Sequence, residues 1–372
     1  GSEEQPIIIK SSGGTANIVA TGASYALKFQ KSKFFRITGG TSAGQYDIKI
    51  DGGHLGISLE NLSTNFEVDH VEIFNIGFAG VMAKTDPSCD DATIQGNFTM
   101  KDISIHDNYV HDTGGEGFYV GNSLYQHGMQ TPCGVRQPHE IHNVKVYNNI
   151  VKNSGWEGIQ VGSATRGAAV YNNRVENYGL ANKKGQNNGM QIGSGTGGLF
   201  YNNFIMNGSG NGLIMMGLGD NLVHDNIIVN AGENGIFCDE RRSPGPGYQF
   251  INNTIINPAQ DGIRLYSEEV PVNVIMNNII VNPGSIGEYR DDERSYIYTL
   301  SEDVKIESAN NYFTSDIQSV RFVNAASGDY RLTAASPTVN TGSSIQSFDI
   351  ATDFYHQPRL KGAAYDIGAC EF

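Results

Sequence analysis

The phrase VKVYNNIVKNSGWEGIQVGS at residues 144–163 decides the fold, because versions of it return along most of the chain. The other copies are AAVYNNRVEN at 168–177, GLFYNNFIMNGSGNGLIMMG at 198–217, NLVHDNIIVNAGENGIFCDE at 221–240, YQFINNTIINPAQDGIRLYS at 248–267 and VNVIMNNIIVN at 272–282. Looser copies are HVEIFNIGFAGVMAK at 70–84, ISIHDNYVHDTGGEGFYVGN at 103–122 and ESANNYF at 307–313. A phrase repeated at a period between 20 and 50 residues is typical of a solenoid of stacked coils.

The second Asn of each Asn pair fixes the period of the repeat. These residues are Asn149, Asn173, Asn203, Asn226, Asn253 and Asn278, which are 24, 30, 23, 27 and 25 residues apart. Within a copy the apolar residues alternate, as Val144 and Val146 do, and alternation is the period of a β-strand. We therefore predict coils of about 23 residues with insertions, each made of three short strands that pair with the next coil at about 4.8 Å.

The repeated Asn and Gly residues have structural explanations. Stacked coils bring like residues together, so the Asn side chains are expected to form a ladder in a left-handed turn. The Gly before the next strand is expected to mark a tight bend. The bend glycines are Gly117, Gly158, Gly189, Gly212, Gly235 and Gly262. We refer to the sheet formed by the strands that follow them as the first sheet.

The repeated phrase resembles the right-handed parallel β-helix repeat of the pectate-lyase-like superfamily, over roughly residues 30–313. The tail, SGDYRLTAASPTVNTGS at 327–343 and DIGACEF at 366–372, is similar to the closing module of surface proteins of Bacteroidetes-type bacteria. The resemblance implies an all-β solenoid in residues 1–313, with residues 314–372 as a cap on the last coils. It also implies a secreted, carbohydrate-active protein, although the superfamily includes adhesins.

The chain departs from the catalytic patterns of that superfamily. It has no paired-Asp segment followed by Gly-His-Gly as in polygalacturonases, and no Asp cluster of the kind that binds calcium in pectate lyases. The reaction type therefore stays open between a lyase, a glycoside hydrolase and binding alone. No metal site is predicted, and calcium stays an open possibility as a cofactor.

Composition limits the partners and the location. The formal charge of −14 and the absence of a long basic run argue against nucleic acid as a partner. No apolar run is long enough to span a membrane. The resemblance implies an extracellular, cell-surface or periplasmic protein that binds a polysaccharide, and we expect it to be a monomer. The first residue, Gly1, is typical of a cloning remnant, and we expect that a signal peptide or lipid anchor has been removed.

Insertions between strands locate a possible binding face, because solenoids carry their insertions on one side. The segments 85–97 and 122–141 leave the same corner of consecutive coils, which should bring Cys89 and Cys133 close enough for a disulfide. The insertion at 177–187 leaves the opposite border of the first sheet, and 239–247 returns to the first corner. The first sheet should therefore be walled on both sides.

Two columns of side chains should line this walled sheet, one residue per coil. The outward residues of the strands are Tyr119, Gln160, Gln191, Ile214, Phe237 and Arg264. The residues before the bends are Glu116, Glu157, Asn188, Asn211, Asn234 and Asp261. Amides and carboxyl groups suit sugar hydroxyls, and aromatic rings suit sugar faces. Trp156, the single Trp of the chain, borders the same sheet and is either a sugar-binding ring or a lid on the coil edge.

Glu116 and Glu157 occupy equivalent places in successive coils, so their carboxyl groups should lie about 5 Å apart. Such a pair shares a proton, binds calcium or acts as the couple of a retaining glycosidase. Alternatively, the two residues are solvated acids at a turn. We predict Glu157, Glu116 and Arg241 as catalytic residues if the protein is an enzyme.

A second polar cluster should lie further along the sheet. It comprises Asp239, Glu240, Arg241 and Arg242, together with Arg264. Paired Arg side chains suit a carboxylate, so a uronic acid is one possible ligand and surface salt bridging is the alternative. Lys183 and Lys184 could reach over the groove, where a Lys with a lowered pKa could abstract a proton.

The sequence thus predicts a carbohydrate-active protein that binds, and is expected to cleave, a polysaccharide in a groove on the first sheet. The predicted substrate-binding residues are Tyr119, Trp156, Gln160, Lys184, Gln191, Asp239, Glu240, Arg242 and Arg264. The alternative function is a non-catalytic, glycan-binding or adhesive surface protein.

Overall fold

The chain winds into a right-handed parallel β-helix with three long parallel sheets, as predicted. This computed structural model describes residues 1–217, 220–239, 245–284 and 295–372. In the described residues, the first sheet has ten strands, and the second and third sheets have eleven each. Each coil passes through the first, second and third sheets in turn, so every strand pairs with its equivalent one coil away.

The strands are short, and most contain three to six residues. Those of the first sheet are Tyr25–Gln30, Leu55–Glu60, Val81–Ala83, Phe118–Val120, Ile159–Val161, Met190–Ile192, Leu213–Met215, Ile236–Cys238, Ile263–Leu265 and Ile297–Thr299. Those of the second sheet are Ile7–Lys10, Lys33–Thr38, Thr64–Asp69, Thr99–His106, Glu140–Tyr147, Ala168–Tyr171, Gly198–Tyr201, Leu222–His224, Gln249–Ile251, Asn273–Met276 and Ile306–Ala309. Those of the third sheet are Ala16–Val19, Ile48–Asp51, Val71–Ile76, Tyr109–Thr113, Ile150–Ser154, Arg174–Glu176, Phe204–Met206, Ile227–Val229, Thr254–Ile256, Ile279–Val281 and Tyr312–Thr314.

The core runs along the axis of the helix as one continuous apolar cluster. It contains the inward residue of almost every strand, for example Val146, Val151 and Ile159 within one coil. These residues are fully buried, and each stacks on an apolar residue of the next coil. No single coil can bury its own apolar residues, so stability depends on stacking.

The sequence predicted that one Asn of each pair forms both the left-handed turn and the ladder. In the structure, two neighbouring residues take these two roles. The first residue of the pair adopts the left-handed conformation, with φ of 54° at Asn148 and 53° at Asn202. The second residue forms the ladder, in which Asn149 Nδ2 donates to Asn173 Oδ1 at 3.0 Å. The ladder joins all six predicted residues and continues to Asn108 at one end and Asn311 at the other.

The bend glycines are required by close packing and not by a left-handed turn. A Cβ at Gly212 would lie 2.3 Å from a methyl group of Ile228 in the core and 2.7 Å from the carbonyl oxygen of Gly235 in the next coil. Gly158 is similarly close to Val175 and to Gly189. Larger residues would push the coils apart at these positions.

Beyond the coils, the described residues contain a few short elements. These are the α-helix Ile317–Val320, the 3-10 helices Asp91–Thr93, Ala325–Ser327 and Gln346–Phe348, and the strand pairs Met129–Thr131 with Gly134–Arg136 and Phe322–Asn324 with Asp329–Leu332. Val320, Leu332 and Ile367 of the C-terminal segment pack against the outward face of the third sheet, including Ile227 and Ile256. The boundary of the predicted cap at residue 314 stays a prediction.

Candidate functional site

The outward residues of the first sheet form the predicted column. Tyr119 pairs with Gln160, Gln160 with Gln191, and the register continues through Ile214 and Phe237 to Arg264. Gln191 Nε2 donates to Gln160 Oε1 at 2.9 Å, and Gln160 Nε2 donates to Ser123 Oγ at 2.8 Å. Both Gln side chains are buried, so this middle part of the column is covered and is not an open floor.

The residues before the bends form a second hydrogen-bonded ladder beside this column. Asn234 Nδ2 donates to Asn211 Oδ1 at 2.8 Å, Asn211 Nδ2 to Asn188 Oδ1 at 2.9 Å, and Asn188 Nδ2 to Glu157 Oε1 at 3.2 Å. The ladder therefore ends on a carboxyl group. Glu116 is the next residue of the column, because the strands that follow Glu116 and Glu157 pair in register.

Glu116 and Glu157 are buried, so the alternative that they are two solvated acids is wrong. Their exposed fractions are 1% and 0%. One oxygen of each carboxyl group, Oε2, is buried without a hydrogen-bond partner among the described residues. A buried polar atom without a partner is unusual in a folded protein and marks a candidate functional site.

The environment favours the protonated form of both acids. Burial raises the pKa of Glu116 to about 7, although the charges of Lys84 and Lys183 oppose the shift. Burial, together with the charge of Glu116, raises the pKa of Glu157 to about 8, and Asn188 and Lys183 oppose this shift. The two groups interact, so they titrate as a pair that holds at least one proton near neutral pH.

The charges of two Lys side chains act on the pair. Lys84 Nζ lies 2.9 Å from Asp86 Oδ1 and 4.5 Å from the centre of the Tyr119 ring. Lys183 belongs to the insertion 177–187, and its Nζ lies 3.2 Å from the centre of the Trp156 ring. A cation over an aromatic face at an exposed position contributes about 0.5–1 kcal/mol, so this contact is easily exchanged for another.

Phe78 is a site residue that the sequence analysis missed. Its ring meets the edge of Trp156 at 5.2 Å and of Tyr119 at 6.4 Å, so it fixes the three rings as one group. Phe78 stands two residues before Gly80, as Trp156 stands two residues before Gly158. The equivalent residue of the coil between them is Gly115, which leaves room for the two rings to meet.

The second predicted cluster is only partly described. Arg264 is buried, with Nη1 2.8 Å from Asp261 Oδ2 and its guanidinium 4.2 Å from the Tyr298 ring. Asp239 is half-buried at the end of the same sheet. Glu240, Arg241 and Arg242 lie outside the described residues, so the predicted roles of these three residues stay predictions. Lys184 is exposed, and its charge opposes the rise in the pKa of Glu233 that burial causes.

The structure contains the predicted disulfide between Cys89 and Cys133, whose Cα atoms are 5.6 Å apart. It joins the insertions 85–97 and 122–141, which also share the backbone hydrogen bond from Gln95 N to Gln137 O at 3.1 Å. The two insertions are therefore held together. Cys238 of the first sheet is buried.

One group among the described residues could offer three ligands to a metal ion, but it lies on the second sheet. The ligand atoms of Glu67, Asp69 and His106 are within 4.8 Å of one another. The guanidinium of Arg36 lies 2.7 Å from Asp69 and 3.4 Å from Glu67, so an Arg side chain supplies positive charge to this cluster. No helix in the described part of the chain is long and apolar enough to cross a membrane.

Comparison with known proteins agrees with this architecture. Residues 136–313 match the family model described as a right handed beta helix region. No curated protein sequence matches the chain. The solved structure of pectate lyase Pel9A is similar, with a TM-score of 0.50 and 14% identity over 99% of this chain and 86% of that one.

A second similar structure is the GH136 lacto-N-biosidase from Eubacterium ramulus. It has a TM-score of 0.57 and 13% identity over 84% of this chain, which spans 58% of the length of that protein. At such identities the likeness concerns the fold alone. The chain is a right-handed parallel β-helix of the pectate-lyase-like fold, and residues 136–313 carry the sequence pattern of that repeat.

Proposed function

We propose that the protein binds a polysaccharide along the first sheet and hydrolyses a glycosidic bond at Glu116 and Glu157. The observation that carries this proposal is the pair itself, with one buried, unpartnered oxygen on each carboxyl group. Leaving such an oxygen unpaired costs about 1–3 kcal/mol. Two such unpaired oxygens on adjacent coils would only destabilise a purely structural turn, so they favour a functional role.

The spacing of the pair supports hydrolysis with retention at the sugar carbon. Residues one coil apart lie about 4.8 Å from each other, and retaining glycosidases place their two carboxyl groups about 5–5.5 Å apart. Glu157 has the higher pKa, about 8, which suits the general acid. Glu116 has the lower pKa, about 7, and lies near both Lys84 and Lys183, which suits the nucleophile.

In this reaction, Glu157 donates its proton to the glycosidic oxygen as the bond between that oxygen and the sugar carbon breaks. The carboxylate of Glu116 attacks the same carbon and forms a covalent ester. Water then gives a proton to Glu157 and attacks the carbon, which releases the sugar and restores both groups. The charge of Lys84 lowers the pKa of Glu116, so Glu116 ionises before Glu157 and the pair keeps its remaining proton on Glu157.

The surroundings of the pair suit a glycan chain that lies along the helix axis. The pitch of about 4.8 Å per coil approximates the length of one sugar ring, so each sugar meets one set of side chains. Tyr119 and Trp156 supply ring faces beside the pair, whereas the amides of the Asn ladder are buried and bonded to one another. The carbohydrate enzymes with a similar fold, a pectate lyase and a lacto-N-biosidase by name, support a polysaccharide as partner. The disulfide between Cys89 and Cys133 supports an extracellular, surface or periplasmic location.

A second candidate function is glycan binding without catalysis. The observation that favours it is the near-complete burial of the pair, because a catalytic carboxyl group must touch the substrate. Catalysis therefore requires that the groups covering Glu116 and Glu157 move when the glycan binds. A lyase remains the third possibility, with Lys183, Lys184 or Arg241 acting on a uronate.

The experiment is a panel of polysaccharides assayed for new reducing ends and for the ultraviolet absorbance of unsaturated uronates. On a cleaved substrate, Glu157→Gln should lower kcat by about 10³-fold, because general acid catalysis contributes 10²–10⁴-fold. Glu307→Gln, which changes an exposed acid of the second sheet, is the matched control. Unsaturated products would identify a lyase, and binding without any product would leave the adhesive function. Full activity in Glu157→Gln would refute the proposed mechanism.

A further inference from the structure

We propose that Lys183 caps the face of Trp156 in the free protein, and that the tip of the 177–187 insertion moves to give this face to a sugar ring. The inference deepens the proposed function, on which it rests, by assigning Trp156 as a sugar platform and Lys183 as the residue that controls access to it.

The base of the insertion is fixed to the coil that carries Trp156. Backbone N–H groups of Gly179, Leu180 and Ala181 donate to the carbonyl oxygens of Trp156, Ser154 and Gly155 at 3.0, 3.0 and 2.9 Å. Tyr178, at the start of the insertion, is fully buried in the core. Movement of the base would break these contacts, so only the tip is free to move.

The tip, residues 182–185, is exposed and is held mainly by its own turn. Gln186 N donates to Lys183 O at 2.9 Å, and Asn182 N donates to Gly179 O at 2.8 Å. Gly185 has φ of +77° with open space where a Cβ would stand. The Lys183 side chain crosses from this tip to the Trp156 ring, where its ammonium stands 3.2 Å from the ring centre.

The Trp156 ring is already oriented for a ligand. Phe78 holds it from one side at 5.2 Å in an edge contact, and Lys183 occupies its face. Lys183 is also close enough to act on the charges of Glu116 and Glu157. A sugar that replaced the ammonium would thus stack on the ring beside the two unpartnered carboxyl oxygens, which could then bond to its hydroxyl groups.

Fluorescence tests the cap directly, because Trp156 is the only Trp in the chain. We expect Lys183→Met to raise the Stern–Volmer constant for acrylamide quenching about twofold. The constant of Lys183→Arg should remain near that of wild type, because a guanidinium also stacks on an aromatic face. Lys184→Met is the matched control from the same tip and should not change the constant. Equal quenching of wild type and Lys183→Met, with unchanged circular dichroism, would overturn the cap.

A second measurement tests the platform with cellohexaose, chitohexaose and hexagalacturonate as probes. An oligosaccharide that binds should protect Trp156 from acrylamide, and should bind Lys183→Met about threefold more tightly because no ammonium must be displaced. Binding that leaves the quenching of Trp156 unchanged would overturn the platform. If none of the three binds, the polysaccharide function fails for these sugar classes, whereas the acrylamide comparison still decides whether Lys183 caps the ring.

Discussion

At the scale of single residues, the buried acid pair makes stability depend on pH. In the unfolded chain a Glu ionises near pH 4.5, whereas folding holds Glu116 protonated to about pH 7 and Glu157 to about pH 8. Between these limits the folded protein binds more protons than the unfolded chain. The free energy of unfolding should therefore fall as pH rises from about 4.5 to about 8, by on the order of a few kcal/mol.

Replacement of Glu157 by Gln isolates this effect, because Gln has the same shape and does not titrate. The melting temperature of Glu157→Gln should fall less steeply than that of wild type between pH 5 and pH 9, and the variant should be the more stable protein at pH 9. Calorimetry over this range measures both slopes, with Glu307→Gln as the control that should follow wild type. A parallel decline in Glu157→Gln would show that the buried pair is not protonated.

The sequence located this pair but not its environment. Glu116 and Glu157 precede equivalent bend glycines, so the repeat alone placed them on adjacent coils. Beside the pair, Phe78 contacts Trp156, and Lys183 of the insertion lies over the Trp156 ring and acts on the charges of both acids. An insertion has no repeat partner, and its path depends on packing against the coil. For this reason, the sequence left open whether the acids were solvated.

At the scale of structural elements, the inner Asn ladder should stabilise the turns more than any other side-chain feature. Asn226 Nδ2 donates to Asn253 Oδ1 and to Phe200 O, both at 2.9 Å, and its Oδ1 accepts from the backbone and side chain of Asn203. Asn226→Ala would leave these buried partners unsatisfied. We expect it to lower the free energy of unfolding by about 2–4 kcal/mol.

Asn230 provides the matched control for Asn226. It also bonds to an equivalent Asn of another coil, through Nδ2 to Asn207 Oδ1 at 2.9 Å, but it is exposed. Asn230→Ala should destabilise the protein by about 1 kcal/mol, mainly because its φ of 53° disfavours Ala. Urea denaturation compares the two variants, and equal losses would contradict a special role for the inner ladder.

The strands and turns of the coils were the most predictable part of the molecule, because they repeat. A coil adds one copy of each contact per turn, so the strands, the ladder and the glycine column all leave a periodic trace in the sequence. The trace does not give the conformation of each residue. For example, Asn148 adopts the left-handed conformation and Asn149 forms the ladder, but both are Asn, so the residue type does not distinguish the two roles.

At the scale of the whole molecule, the C-terminal segment covers the outward face of the third sheet. Ile227, Ile256 and Val281 of this sheet are buried against residues of the segment such as Val320 and Ile367. Strand faces as apolar as these would favour aggregation if they were uncovered. Attachment of this segment should therefore decide whether the protein stays soluble, in addition to its contribution to stability.

The attachment depends on one buried charge cluster. Arg359 contacts Asp225, which lies in the Asn turn of the β-helix, and its Nη1 lies 3.3 Å from Glu371 Oε2. All three side chains are almost completely buried, so Arg359→Leu would leave two carboxylates without their cation. We expect a loss of about 3–5 kcal/mol and faster proteolysis of the C-terminal segment.

The control for Arg359 is Arg331→Leu, which removes an exposed pair with Asp329 in the same segment and should lower stability much less than Arg359→Leu. Thermal unfolding and limited proteolysis of the two variants distinguish a buried attachment point from a general effect of lost charge. Because the uncovered third sheet is apolar, Arg359→Leu should also aggregate at a lower temperature than Arg331→Leu. If both variants unfold and aggregate alike, the segment must be held by its apolar contacts, and the ion cluster would contribute little beyond neutralising Asp225 and Glu371.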